Sequence, residues 1–101
     1  MEKNKEKYPE KLEKAAFILK TVSHPTRLAI IEILSKFSKL TVGDINKIVN
    51  CEQSLLSHHL INMKLKGILS AEREGQNIYY SLKLKEVSKL LACIENCECN
   101  F

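Results

Sequence analysis

The chain has 101 residues, 45% of them hydrophobic and 28% charged, with a net charge of +4. That composition excludes a disordered or collagen-like chain, and no run of about 18 apolar residues is present to span a membrane. A single globular domain over 1–101 is expected, with a modest core that dimerisation would help to complete.

Residues 1–9 are expected to be a flexible N-terminal segment and 97–101 a loose C-terminal tail. The charged start, Met1 to Lys7, lacks the apolar run and cleavage site of a secretory leader. A cytoplasmic location is therefore expected.

A first helix is predicted over 10–22, where Leu12, Ala15, Ala16 and Leu19 recur at helical spacing and Pro9 suits the start. A second begins at Ser23-His24-Pro25, with a capping residue before a first-turn proline. Its run Leu28 to Leu34 is apolar on nearly every side, so this helix should be central and buried. Arg27 opens it, where the helix dipole disfavours a cation. It is either a surface arginine with a buried stem or a partner in an ion pair or phosphate contact.

Lys39 to Val42 is a short β-prone piece, and Thr41 can cap a third helix over 42–49 with Ile45, Ile48 and Val49 inward. Asn50-Cys51 is the turn, which Asn50 can serve by entering the left-handed region. The next helix has two unlike faces. Leu56, Leu60 and Met63 fall on one side. Gln53, Ser54, Ser57 and His58 fall on the other, with Lys64 a turn further along. The polar side carries no carboxylate, so it fits a major groove, where it can meet base edges and phosphates. The plain alternative is a surface helix that happens to be rich in Ser, Gln and His. His59 reads as a core histidine and His24 as a capping residue. Gly67 is placed to stop the helix.

Two helices joined by a tight turn, the second with a groove-compatible face, form a helix-turn-helix pattern. Strands over 68–73 and 78–82 follow, with Ile78, Tyr80 and Leu82 alternating with Tyr79 and Ser81 around the turn Glu74-Gly75-Gln76-Asn77. A hairpin there is a wing, and Arg73, Gln76 and Asn77 at its tip could reach DNA backbone or minor groove. Plain turn chemistry also accounts for Gly75 and Asn77. Glu72 and Glu74 beside Arg73 weaken its positive field. A last helix, from Leu84 to about Asn96, carries the stripe Leu84, Val87, Leu90, Leu91 and Ile94. The fold class is mainly α with a small β-hairpin wing.

The four cysteines are Cys51, Cys93, Cys97 and Cys99. In a reducing compartment a metal-binding or redox cluster is more natural than a disulfide framework. Cys93, Cys97 and Cys99 could converge on one thiophilic metal or metalloid ion. Two of them could instead form a reversible disulfide, or all three could be interface and end thiols without a role. Cys51 is either a reactive thiol at a helix start or a packed turn residue.

The order of elements, with Ser23-His24-Pro25-Thr26-Arg27-Leu28, Gln53-Ser54, Ser57-His58-His59-Leu60 and Glu74-Gly75-Gln76-Asn77-Ile78-Tyr79-Tyr80, resembles the ArsR-type winged helix-turn-helix repressors from about residue 14 to about residue 95. The resemblance implies a homodimer through the first and last helices, and operator contacts by Gln53, Ser54, Ser57 and His58. It implies release from double-stranded DNA by an inducer, which in this family is a metal, a metalloid, or an oxidised or persulfidated thiol. Two family sites are missing. Thr41 to Asp44 lacks the thiols of the arsenic and cadmium type, and the last helix has neither the His nor the Asp of the zinc and nickel type. Glu52 and Leu55 replace small polar residues, and Leu55 could pack or meet a thymine methyl. Some arsenic-responsive members carry cysteines in the last helix.

The expectation is a dimeric repressor on an inverted-repeat operator, released by a thiol-reactive metal or metalloid. A redox- or persulfide-responsive repressor and a winged helix for protein contact are the alternatives. The chain shows no nucleophile–base pair, carboxylate dyad or phosphate loop, so no enzyme is expected.

Overall fold

The computed structural model describes residues 8–97. Most of the expected flexible start, most of the expected tail, and Cys99 lie outside them. The elements in order are α1 (Glu10–Val22), α2 (Pro25–Lys36), β1 (Leu40–Thr41), α3 (Val42–Ile48), α4 (Gln53–Leu65), β2 (Leu69–Glu74), β3 (Asn77–Leu82) and α5 (Glu86–Glu95). The strands form an antiparallel sheet in the order β1-β3-β2.

The apolar run of α2 is central. Ile30, Ile31, Ile33 and Leu34 are buried among Ile45, Leu56, Leu60, Met63, Ile68 and Leu69. The helix starts where its cap chemistry dictates. His24 Nδ1 accepts the Thr26 backbone N–H at 3.1 Å, and Pro25 follows in the first turn. Thr41 and Asp44 begin α3 with reciprocal side-chain to backbone bonds, each 3.1 Å, and those bonds hold the Asp44 carboxyl below its ordinary pKa.

Two sequence expectations, for Ile48 and Asn50, need correcting, and two further side-chain placements go beyond what the sequence analysis stated. Ile48 is 55% exposed, because α3 ends at that residue and leaves only Ile45 and Val49 to the core. Asn50 turns the chain without a left-handed backbone, since among the described residues only Gly67 and Gly75 have positive φ. Ile78 shares a strand face with Tyr80 and Leu82, but it is exposed because the hairpin runs past the core. The stripe of α1 faces outward. Leu12, Phe17 and Leu19 are each about half exposed, and only Thr21 and Val22 are buried.

Gly67 follows α4 with φ +83 and passes the chain into β2. A Cβ there would meet nothing within 4 Å, so the cost of adding one is confined to the backbone. Gly67→Ala is expected to cost about 1–2 kcal/mol. Urea denaturation should show a lower midpoint with an unchanged slope.

Candidate nucleic-acid interface

Leu56, Leu60 and Met63 seat α4 on the core with no exposed surface, and His59 beside them is 5% exposed. The preceding turn is fixed by Asn46 Nδ2, which donates to the Cys51 carbonyl at 2.8 Å. Cys51 packs half-buried against the core, in keeping with a turn residue. The opposite face of α4 is open. Gln53, Ser54, His58 and Lys64 are exposed and Ser57 is half-buried, as expected. No Asp or Glu occurs within Gln53–Leu65. The Ser54 hydroxyl donates to Glu52 just before the helix, at 2.9 Å.

Two apolar residues share this open face. Ile61 is 50% exposed and Leu65 76% exposed. Ile61 lies seven, four and three residues beyond Ser54, Ser57 and His58, on one side of the helix. That spacing is legible in the sequence, but an isoleucine in a helix invites assignment to the core. Leu55, also open to solvent at 47%, lies at the edge of the face.

Arg27 fixes α4 from behind. Its Nε donates to His59 Nδ1 at 2.9 Å, and its Nη1 donates to Asn62 Oδ1 and to the Thr21 carbonyl, both at 2.8 Å. One guanidinium therefore joins the end of α1, the start of α2 and the middle of α4. These partners are all neutral, so neither an ion pair nor a plain surface stem describes this arginine among the described residues.

His59 is neutral in this arrangement. Its Nδ1 accepts from Arg27, which leaves the ring proton on Nε2, a buried atom with no hydrogen-bond partner among the described residues. Burial, then the charges of Arg27, His24 and His58, hold its pKa below the ordinary histidine value. The unfolded chain thus takes up this proton more readily than the native one, and stability rises with pH across that interval. The expected result is a loss of stability as pH falls below about 6.5. Denaturation curves should show it, and His59→Gln should flatten the dependence.

The wing tip is open, with Arg73, Gln76 and Asn77 all exposed. Gly75 at φ +67 begins the two-residue turn, followed by a residue of negative φ, the pattern of a type II′ hairpin. Register separates the charges. Arg73 pairs with Ile78 on the strand face that carries Leu69, Ala71 and Tyr80. Glu72 and Glu74 pair with Tyr79 and Asn77 on the other face. Glu74 is also ion-paired to Lys39, which lies over the Tyr79 ring at 4.9 Å and whose pKa is raised chiefly by the hydrogen bond to Glu74. The acids therefore weaken the field at Arg73 less than their place in the sequence implies.

Cys93 is exposed in α5, and Cys97 is exposed one turn on, just past the helix end. The Cys97 N–H closes that turn on the Ile94 carbonyl at 3.1 Å. Among the described residues no three His, Cys, Asp or Glu side chains are grouped to hold a metal ion.

A buried α2, a tight α3–α4 turn, an open acid-free face on α4 and a hairpin beside it define a winged helix-turn-helix. The family profile described as bacterial regulatory protein, arsR family, matches residues 24–71. The HTH-type transcriptional regulator YgaV of Escherichia coli K12 is 36% identical over 87 residues, covering 86% of this chain and 88% of its own. The transcriptional repressor PagR of Bacillus anthracis is 41% identical over 87 residues, 83% of this chain and 87% of its own. The PagR crystal structure superposes with a TM-score of 0.75 over 83% of this chain and 95% of that one, at 38% identity. HlyU from Vibrio cholerae, described as reduced, superposes with a TM-score of 0.72 over 90% and 95%, at 27% identity. This chain belongs to the ArsR family. It is a DNA-binding transcriptional regulator, not an enzyme.

Proposed function

We propose that the chain is a cytoplasmic, dimeric repressor whose α4 reads an inverted-repeat operator and whose C-terminal thiols release it. The observation that carries this reading is the open face of α4, with hydroxyl, amide, imidazole and ammonium groups and no carboxylate. Gln53, Ser54, Ser57 and His58 meet base edges, Lys64 meets phosphate, and Ile61 meets a thymine methyl. Arg73, Gln76 and Asn77 contact the flanking backbone or minor groove.

The dimer is supported by apolar surface that the chain leaves open. Leu19, Val22, Leu28, Val87, Leu90 and Ile94 line a groove of about 250 Å³ between α1 and α5. Leu90 is 43% exposed and Ile94 58% exposed. A second copy covers this surface and sets the two recognition helices about one helical turn of DNA apart.

The inducer is a thiophilic metal or metalloid ion held by Cys93, Cys97 and Cys99. Two exposed thiols one turn apart at the end of α5, beside the dimer groove, support that site. A thiol-redox or persulfide trigger is the second reading. It is favoured by the similarity to HlyU from Vibrio cholerae, whose solved structure is described as reduced.

The test is operator binding by the reduced protein, titrated with arsenite, then cadmium, then a persulfide donor. Release by arsenite or cadmium, lost in Cys93→Ser and Cys97→Ser, fits the metal reading. Release only by the persulfide donor moves the second reading to first place. A monomer by sedimentation at micromolar concentration would remove the dimer.

A further inference from the structure

At the side of the DNA-reading face of α4 lies a cleft of about 310 Å³, lined by Phe17, Lys20, Thr21, Arg27, Asn62 and Lys66. Three of these six residues are cations, from α1, α2 and the cap of α4, and none is acidic. Among the described residues no carboxylate forms an ion pair with any of the three. Arg27 is half-buried, and its bonds all go to neutral acceptors. A cation partly withdrawn from water normally has an opposite charge beside it. Lys66 Nζ is held over the Phe17 ring, 5.6 Å from its centre, which keeps a second cation at the cleft. The Asn62 amide adds a neutral hydrogen-bonding group.

We propose that this cleft is an oxyanion site for a phosphate group. Arg27 lies at its inner side, and Lys20 and Lys66 close over the anion as mobile point charges. Asn62 is four residues beyond His58, about 40° further round α4 at 100° per residue, so the cleft borders the DNA-facing surface. Two sources offer the same chemistry: a phosphate of the DNA backbone flanking the groove, and a free phosphate-bearing small molecule. In either case the anion sits on the guanidinium that holds His59 and Asn62, so its binding is coupled to the placement of α4. Lysines at helix C-termini also complement the helix dipole, and under that simpler role the cleft binds nothing.

The DNA arm of the test rests on the repressor reading, whereas the free-anion arm does not. In the first arm, inorganic phosphate is titrated into the DNA-free protein against sodium chloride of matched ionic strength. The NMR signals of Arg27 Nε–H and the Asn62 amide are followed. In the second arm, operator affinity is measured against salt for the native chain and for Lys20→Gln/Lys66→Gln, which keeps Arg27 and hence the fold. A backbone phosphate in the cleft predicts that the double variant lowers the slope of log K against log salt by about 1 and weakens operator and unrelated DNA alike. A free anion predicts saturable phosphate shifts that the double variant abolishes, with the slope unchanged. If phosphate shifts neither signal and the slope is the same in both proteins, the site does not exist. If the native chain binds no DNA, the repressor reading fails, and the phosphate titration alone decides the cleft.

Discussion

Replacing Ser57 and His58 together with alanine is expected to lower operator affinity by about a hundredfold while leaving the fold intact. His58 is exposed and Ser57 half-buried on the open face of α4, and neither takes part in the core that seats the helix. Away from such packing, surface substitutions change stability by only about 0.5 kcal/mol. A single, non-bidentate base-edge hydrogen bond contributes about 0.5–1.5 kcal/mol. Two lost on each of two half-sites are four, or about 2–6 kcal/mol; a loss of about 3 kcal/mol, toward the lower end, is about a hundredfold, since each 1.4 kcal/mol is about tenfold. The loss should be large on operator and small on unrelated DNA, since the basic residues that hold phosphate are untouched. Fluorescence anisotropy on both DNAs, with denaturation curves alongside, measures the two effects separately. Equal losses on both DNAs would mean that this face positions the protein but reads no sequence.

Arg27→Met should be the most damaging single change away from the apolar core. The methionine keeps most of the stem volume and removes a guanidinium that serves three acceptors 6, 32 and 35 residues away in sequence. Hydrogen bonds to a charged donor contribute about 1.5–3 kcal/mol each, and a buried acceptor left bare costs more than a pair removed together. The three are not additive, and a net loss of about 3 kcal/mol is expected, or about 15 °C in the melting temperature of a domain this size. His59 and Asn62 both lie on α4, so operator affinity should fall as well. Arg27→Lys should not restore stability, because an ammonium cannot reproduce the planar fork. Calorimetry on the two variants decides this, and full stability in Arg27→Lys would mean that charge alone matters at this position.

The parts of the fold that were legible in the sequence are those set by local chemistry. The all-round apolar run of α2, the threonine cap of α3, the two faces of α4 and the glycine of the wing turn each declare themselves within a few residues. Periodicity shows which side of a helix is apolar but not what covers it. The stripe of α1 is legible as an apolar side, and the chain by itself leaves most of it open. Ile48 fails for a related reason. It continues a correct pattern past the point where α3 leaves the core, and the exposed Ile78 shows the same limit at the end of the hairpin. Arg27 could be singled out at the start of an apolar helix, but its partners on α4 lie more than thirty residues away. No local rule names them. Ile61 was hidden by its residue type, not by its position.

Under the proposed function, two copies of α4 read an inverted repeat. Hydroxyl-radical footprinting tests this, with the reduced protein on a fragment from upstream of its own gene, beside a scrambled fragment of the same composition. Two protected half-sites related by two-fold symmetry, about one helical turn apart and absent from the scrambled DNA, are the predicted result. Protection without symmetry, or equal protection of both fragments, would contradict it.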